Sequence, residues 1–461
     1  MSDLLVKGGR LLDPASGLDA VGDLLLRDGR IAAVATLRST SGAVEAIGAA
    51  EIIDASGLLV TPGLLDMHVH LREPGYEHKE TIESGARAAA MGGFTAVACE
   101  PNTVPPGDTP ERIAEVIRIA RPICHFERSE ESCRSLLSVG QELVSCHRAG
   151  AHVHVLPKCC ITRGQQGREV TDLAALKAAG AVAASDDGFS VADDAVMRQA
   201  MAAAKAAGIP LTVHVDELRM VERDVALAAE FDYAVHFSHV SLAAEIDLIS
   251  RAQQRGLRVT GEATPHHLSL CADDAPVNDT NFKMNPPLRS ASDRAALRRA
   301  LRDGAITAIA SDHAPHAPSE KTLPHDDAPS GVIGLETTIG VIWTDLVHAG
   351  LLPVQTAVRA MTAAPAAVLR IDSPALKPGA PADVTLIDPN AEWIVDPDRF
   401  QSRSRNCPFA GRRLRGRAVA TVVAGRIVMR DGMVGPRGAG ACLLPVGRGA
   451  PLRRTPAGEV E

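Results

Sequence analysis

The segment that most constrains this chain is HVHLREPG, which spans eight residues from 68 to 75. Side chains alternate between two faces along a β-strand, so His68, His70 and Arg72 are predicted to share one face. An alternating histidine pair alone is as typical of a hydrogen-bonded surface pair as of a metal site. The segment therefore predicts either a surface pair or a metal site beside an anion-binding arginine.

Further histidines and aspartates favour the metal site, because each stands where another strand-like run ends. These residues are Asp186 and Asp187 in SDDG, His214 in LTVHVD, His239 in VHFSHVS, and Asp312 in ITAIASDHAPH. Such an accumulation would require several independent coincidences if the residues were only surface groups. Imidazole and carboxylate ligands without a thiolate favour zinc, with manganese, cobalt and iron as alternatives.

Strand-like runs alternate with alanine-rich helical segments from 60 to 370. Eight runs qualify as strands: LLDMHVHL, FTAVACEPN, HVHVLP, AVAASDD, LTVHVD, YAVHFSH, RVTGEAT and ITAIASDH. Eight β/α repeats predict an α/β fold with a closed, TIM-like (β/α)8 barrel. The candidate ligands end strands one, four, five, six and eight, at the face where active sites of such barrels are built.

The two flanks of the barrel have a different pattern. Residues 1–59 and 371–435 contain short alternating runs separated by glycine turns, so they are predicted to form two halves of one small β-sandwich domain. Residues 436–461 are rich in Pro, Gly and Arg without periodicity, which predicts a disordered tail.

Residues 123–150 lengthen the link before the third strand and are predicted to be a tolerated insertion. A second zinc site is the alternative, and it would use Cys124, His125, Cys146 and His147. We disfavour it because this link lies at the barrel face opposite the other candidate ligands. A soft metal site at Cys159 and Cys160 is also disfavoured, since adjacent strand residues point to opposite faces.

Composition limits the classes of partner. The chain has 461 residues, is 46% hydrophobic and carries a formal net charge of −8, which allows a large core and offers nucleic acid no basic surface. No apolar run approaches the ~20 residues of a membrane span, and no secretory signal is visible, so we expect a cytoplasmic protein. Nine cysteines without paired spacing are predicted to be free thiols.

Over roughly residues 1–435 the chain resembles the bacterial class I dihydroorotases of the amidohydrolase superfamily. The resemblance is carried, in order, by HVHLREPG, EPNT, SDDG, HVS, KMNPPLR, SDHAPH and GVIGLET. It implies zinc-dependent, reversible cyclisation of N-carbamoyl-L-aspartate to (S)-dihydroorotate in de novo pyrimidine biosynthesis. We expect a homodimer, with association with aspartate transcarbamoylase as the alternative form of assembly.

The resemblance assigns roles to individual residues. One or two zinc ions would be held by His68, His70, Asp187, His214, His239 and Asp312, with Asp187 in place of a carboxylated lysine. The substrate carboxylate would be held by Arg72, Asn102 and His316, and the ring by Asn285 and the backbone from Gly331 to Gly334.

The expected chemistry is hydrolysis of a cyclic amide and its reverse. Zinc makes hydroxide available at neutral pH, and Asp312 would carry the proton to the departing ring nitrogen. The planar guanidinium of Arg72 suits a carboxylate, although a structural ion pair with Glu73 or Glu80 is the alternative.

Three features depart from the family pattern. The segment between His214 and His239 is shorter than usual, which places loop closure and subunit contacts in doubt. Glu100 replaces a common methionine and is predicted to be solvated, because an unpaired buried carboxylate is costly. Lys158 is predicted to be a salt-bridged residue beside the site, because the carboxylated lysine of relatives ends strand four rather than strand three.

Two rival functions remain open. The first is another cyclic amidohydrolase, namely a dihydropyrimidinase, hydantoinase or allantoinase, although a ring without a carboxylate would leave Arg72 and His316 without an anion. The second is an inactive, dihydroorotase-like structural partner of aspartate transcarbamoylase, which the complete set of ligands disfavours.

Overall fold

The computed structural model describes residues 3–36, 51–120 and 152–435. Its strands are β1 (Leu4–Asp13), β2 (Leu18–Arg27), β3 (Arg30–Thr36), β4 (Glu51–Asp54), β5 (Leu59–Pro62), β6 (Leu64–Val69), β7 (Phe94–Cys99), β8 (His154–Pro157), β9 (Leu211–Val213), β10 (Val235–Phe237), β11 (Val259–Ala263), β12 (Ala308–Ile309), β13 (Val384–Ile394), β14 (Arg413–Val423), β15 (Arg426–Arg430) and β16 (Met433–Val434). Its α-helices are α1 (Ile82–Gly92), α2 (Pro110–Ala120), α3 (Leu173–Ala178), α4 (Asp194–Ala207), α5 (Leu218–Phe231), α6 (Ala243–Gln254), α7 (Pro265–Ser269), α8 (Ala291–Asp303), α9 (Pro318–Lys321), α10 (Thr338–Ile342), α11 (Val354–Ala360) and α12 (Ala363–Leu369).

A closed ring of parallel strands forms the centre of the chain. Strands β6, β7 and β8 pair with one another, as do β9, β10, β11 and β12. Ala184 bridges β8 to β9 through Cys159 and Leu211, and a bridge between Val69 and His313 joins β6 to the end of β12. The predicted α/β barrel is therefore confirmed, with its fourth strand reduced to the bridges made by Ala184.

Helices surround the ring, and sequence signals set their ends. Helix α4 begins after Asp193, whose carboxylate accepts the N–H groups of Ala195 and Val196, and it ends at Gly208, whose φ is 67°. Helix α8 begins with a capping box at Ser290 and ends at Gly304, whose φ is 92°. Both terminal glycines adopt the left-handed conformation that other residues avoid.

The flanking strands from both chain ends form one nine-stranded sheet. Its order is β16-β15-β14-β13-β5-β1-β2-β3, with β4 paired to β1. Strand β5 is the junction, since it pairs with β1 in parallel and with β13 in antiparallel orientation. Strand β6 begins directly after β5, so this sheet leads into the first barrel strand.

Two sequence predictions lie outside the described residues. They are the insertion at 123–150, with its alternative zinc site of Cys124, His125, Cys146 and His147, and the tail at 436–461. Across the described ranges, no helix combines the length and apolar character needed to cross a membrane. The cysteines that the structure describes are all buried free thiols: Cys99, Cys159, Cys160, Cys271 and Cys407.

Candidate metal centre

The first histidine pair stands at the end of β6. His68 lies within the strand, and the backbone N–H of His70 donates to His313 O at 2.8 Å, which extends the pairing towards β12. Arg72 does not continue the strand, because its φ is 62°. The prediction that all three side chains alternate on one strand is therefore wrong for Arg72, whose position is set by a left-handed turn.

Asp187 stands at the middle of the centre and belongs to two groups of possible metal ligands. The first group contains His68 and His70, and the second contains His214 and His239. Within each group the donor atoms lie within 4.8 Å of one another, and all the residues are buried. Asp187 Oδ1 lies 3.3 Å from His68 Nε2 and 3.2 Å from His239 Nε2. One carboxylate could therefore serve two neighbouring ions.

Asp312 completes the predicted set of ligands. Its Oδ1 lies 3.2 Å from His70 Nε2 and 3.6 Å from His68 Nε2. Its φ of 47° places it in the left-handed region, just past the end of β12. The structure thus brings together all six residues that the sequence analysis proposed as ligands.

The residues present fit a bound cation. His68 Nε2 is buried and has no hydrogen-bond partner among the described residues, which is costly for a polar atom. Burial lowers the pKa of His68, but the carboxylates of Asp187, Glu100 and Glu262 outweigh it and raise this pKa well above its usual value. The negative potential at this atom is the kind that a metal ion would neutralise, and the donor set of His and Asp suits zinc.

His68 and His70, the first two proposed ligands, each have a hydrogen-bond partner at Nδ1. His68 Nδ1 lies 2.6 Å from Glu262 Oε1, and His70 Nδ1 lies 2.9 Å from Asn102 Oδ1. Such partners fix the tautomer and direct Nε2 towards a metal. Asn102, predicted to contact the substrate, therefore also holds His70.

The second histidine pair has a different arrangement. His214 Nδ1 lies 2.8 Å from His239 Nε2 and 3.6 Å from Asp187 Oδ1. His214 Nε2 lies 3.0 Å from Asp216 Oδ1. His214 therefore presents Nδ1 to the centre, while Asp216 binds its other nitrogen.

Glu262 was not predicted as a site residue from the sequence, although the strand that carries it was. Glu262 lies on β11 with its side chain fully buried. Besides His68, it contacts His236, whose Nε2 lies 3.2 Å from Glu262 Oε2. The available signal was a carboxylate inside a run whose other side chains are apolar or small, since a buried charge requires a partner.

Glu100 corrects the sequence analysis, which placed it in solvent. Its side chain is fully buried and forms a close ion pair with Lys158, also fully buried. Lys158 Nζ donates a second hydrogen bond to Thr212 Oγ1 at 3.2 Å. Burial is costly for a carboxylate without a partner. Glu100 avoids this cost because Lys158 supplies the opposite charge. The prediction that Lys158 is salt-bridged is confirmed.

Arg72 and His316, both predicted to bind the substrate carboxylate, lie next to each other. Arg72 Nε donates to Pro315 O at 3.1 Å, and Arg72 Nη2 lies 3.4 Å from His316 Nε2. Burial, followed by the charges of Arg72 and Lys79, lowers the pKa of His316 to about 3, so this ring is neutral at physiological pH. Among the described residues, Arg72 has no carboxylate within ion-pair distance.

The alternative of a structural ion pair between Arg72 and its acidic neighbours is wrong. Glu73 accepts the backbone N–H of Ile82 at 2.8 Å. Glu80 lies 3.4 Å from His313 and also accepts hydrogen bonds from Ser84 and Ser402. Among the described residues, Arg72 has no ion pair with either glutamate.

The other residues predicted to contact the substrate also lie near the centre, but not all of their polar groups are free to bind it. Asn285 Nδ2 lies 3.4 Å from His214 Nε2. Gly331 has a φ of 141°, and a Cβ there would lie 2.9 Å from His316 Nε2, so only glycine fits. The N–H of Gly334 donates to His313 Nδ1 at 3.2 Å, and it is therefore already engaged within the protein.

Comparison with known proteins identifies the family of the chain. Residues 59–428 match the model of the Amidohydrolase family. The chain belongs to the amidohydrolase family. Within it, the chain is 43% identical over 459 residues to a dihydroorotase of Pelotomaculum thermopropionicum, covering 94% of this chain and 99% of that one. A dihydroorotase of Anaeromyxobacter dehalogenans is also 43% identical, over 464 residues and with the same two coverages.

Solved structures of family members share the fold. An L-hydantoinase from Arthrobacter aurescens superposes with a TM-score of 0.80 at 24% identity, covering 95% of this chain and 98% of that one. A dihydropyrimidinase from Brevibacillus agri has a TM-score of 0.72 at 20% identity, covering 95% and 97%. At these identities the likeness supports the amidohydrolase fold alone.

Proposed function

We propose that this chain is a zinc-dependent dihydroorotase, which interconverts N-carbamoyl-L-aspartate and (S)-dihydroorotate in de novo pyrimidine biosynthesis. Nearly full-length similarity to dihydroorotases supports the activity. The structural observation that carries the choice of substrate is the guanidinium of Arg72, which lies beside the metal centre without a carboxylate partner among the described residues. A ring that bears a carboxylate supplies that partner.

The proposed ligands are the six residues around Asp187. They are His68, His70, Asp187, His214, His239 and Asp312. Zinc held there supplies a Lewis acid that activates a water molecule and polarises the amide carbonyl. One or two ions per subunit are compatible with the two groups that share Asp187.

Asp312 is the proposed proton carrier. Burial raises its pKa, but the hydrogen bond from His70 and the charge on His68 outweigh burial and lower the pKa to about 2. The carboxylate is therefore ionised at neutral pH and able to accept a proton from the attacking water. In the direction of hydrolysis it passes this proton to the departing ring nitrogen, and in cyclisation the transfer is reversed.

Arg72 and His316 hold the substrate carboxylate in this proposal. The hydrogen bond from Arg72 Nε to Pro315 O fixes the direction of the guanidinium plane. Because His316 is neutral, Arg72 would supply the positive charge of this pair. Asn102 and Asn285 would contact the substrate from the side of His70 and His214, with the backbone at Gly331 and Gly334 near the ring.

The proposal also covers the oligomeric state and the cellular location of the protein. We expect a homodimer in the cytoplasm, able to associate with aspartate transcarbamoylase. The inactive-partner alternative is disfavoured because the six proposed ligands converge on one buried centre. Analytical ultracentrifugation, with and without the transcarbamoylase, tests the assembly.

A panel of substrates tests the activity and its closest rival. Purified full-length protein is assayed against dihydroorotate, dihydrouracil, hydantoin and allantoin under identical conditions. The proposal predicts the highest kcat/KM for dihydroorotate, because only that ring places a carboxylate against Arg72. A higher kcat/KM for dihydrouracil, hydantoin or allantoin would replace dihydroorotase with another cyclic amidohydrolase.

A further inference from the structure

A buried ion pair lies directly beside the metal centre and has no role in the proposed reaction. Glu100 and Lys158 both have fully buried side chains. A buried ion pair is often no more stabilising than apolar side chains of similar size, because both charges lose their hydration. Stability alone therefore gives little reason for this pair.

The position of Glu100 follows from the barrel. It comes directly after Cys99, the last residue of β7, and its N–H donates to Val69 O at 2.9 Å. Its side chain is thus held at the carboxyl end of the strand next to β6, which carries His68. Glu100 Oε1 lies 3.8 Å from His68 Nε2.

Two buried atoms here are without partners. Among the described residues, Glu100 Oε2 and His68 Nε2 each have no hydrogen-bond partner. Lys158 binds Oε1 of the same carboxylate and is itself held by Thr212. Lys158 thus fixes the carboxylate through Oε1, while Oε2 has no partner among the described residues.

The spacing fits shared coordination. Zinc lies about 2.0 to 2.2 Å from nitrogen and oxygen ligands, so two ligands of one ion stand up to about 4 Å apart. Glu100 Oε1, the oxygen that Lys158 binds, lies 3.8 Å from His68 Nε2, which falls within that range. A carboxylate oxygen has two acceptor sites, so Oε1 can bind both Lys158 and a metal ion.

We propose that Glu100 contributes a carboxylate oxygen to the metal ion held by His68 and His70, and that Lys158 positions this carboxylate. The inference rests on the proposed function only in requiring a metal ion at the centre. It adds a ligand from strand two to the six ligands already proposed. It also gives a reason for a fully buried ion pair, since attraction to a metal ion offsets part of the desolvation of Glu100.

The first variant removes both charges of the Glu100–Lys158 pair, so that neither charge stays buried without a partner. Glu100→Met/Lys158→Met exchanges two charged side chains for apolar ones of similar length, and Glu100→Gln keeps the hydrogen-bonding shape if the double variant fails to fold. Each protein is loaded with zinc and titrated with a competing chelator. We expect both variants to bind zinc about tenfold or more weakly than the parent, the loss typical when a group that supports a metal is removed.

A matched control removes a different ion pair. Arg412 Nη2 lies 3.0 Å from Asp345 Oδ1, and Arg412 also contacts Ser269 and Phe409 rather than a proposed ligand. The variant Arg412→Met/Asp345→Leu should bind zinc as tightly as the parent. Cobalt-loaded samples provide a second readout, because loss of a carboxylate ligand shifts the visible absorption of Co²⁺.

The outcomes separate this inference from the proposed function. Weaker zinc binding and an altered cobalt spectrum in the Glu100 variants, with the control unchanged, support Glu100 as a ligand even if the parent fails to hydrolyse dihydroorotate. Parent-like zinc affinity and cobalt spectrum in a folded Glu100 variant would overturn it. A parent protein that binds no metal would overturn it as well.

Discussion

Asn406 fixes His316 from a distant part of the chain. Its Oδ1 accepts the backbone N–H of His316 at 3.3 Å, and its Nδ2 donates to Ala314 O and Gly331 O, both at 3.0 Å. The side chain of Asn406 is buried. One amide therefore joins the two loops that carry the proposed contacts to the substrate.

The substitution Asn406→Asp tests this connection. It removes the two N–H donors and sets a carboxylate against two carbonyl oxygens, so the loops of His316 and Gly331 should separate. We expect KM for dihydroorotate to rise about tenfold, the cost of one to two lost hydrogen bonds, with zinc content unchanged. Steady-state kinetics measure this change, and Asn390→Asp at an exposed position is the control. An unchanged KM would show that the connection does not position the substrate.

Arg72→Lys tests the carboxylate site. Lysine keeps the charge but loses the planar pair of donors and the bond to Pro315 O. We expect KM to rise at least about tenfold and kcat to change less, because binding to the carboxylate is retained through the reaction. The exposed Arg403, changed to lysine, is the matched control. Equal KM values in the parent and in Arg72→Lys would refute the assigned contact.

Asp312→Asn tests the proton carrier. The amide keeps the shape of the side chain, and the other proposed ligands remain to hold zinc. Turnover should fall by about 10²- to 10⁴-fold, the usual contribution of general acid–base catalysis. Metal analysis on the same sample separates loss of zinc from loss of proton transfer. Turnover near that of the parent would exclude the role.

The pH dependence of stability offers a test at His316. Its pKa in the folded protein is about 3, below the ordinary histidine value of 6.5, because of burial and the nearby charges of Arg72 and Lys79. Between these values the unfolded chain binds the additional proton, so stability falls as pH decreases from 6.5 towards 3. His316→Gln should reduce this dependence by up to about 1.4 kcal/mol per pH unit. Urea unfolding at several pH values measures it, and identical slopes in both proteins would contradict the shift.

Residue type and strand ends were sufficient to predict which residues converge on the candidate metal centre. Each proposed ligand is a His or Asp at the end of a strand-like run, and parallel barrel strands bring such ends together. Their convergence around Asp187 therefore followed from local patterns combined with one fold rule. Arg72 was predicted to lie near the centre, but on a strand that in fact ends at Val69.

Pairings between distant residues were beyond the reach of the sequence. Glu100 was expected in solvent because no partner for a buried carboxylate was identified in the sequence. That partner, Lys158, lies 58 residues further along the chain. Asn406 meets His316 across 90 residues, and Glu262 meets His68 across 194. No local pattern encodes these contacts, since they arise only when the barrel closes and residues from the C-terminal part of the chain pack against its loops.

The most direct test of the account is dihydroorotate hydrolysis by the purified protein before chelation, after chelation and after zinc is restored, with metal content measured on each sample. The account predicts activity that falls with the zinc content and returns when zinc is added. Activity that persists in metal-free protein, or zinc-loaded protein that does not hydrolyse dihydroorotate, would contradict it.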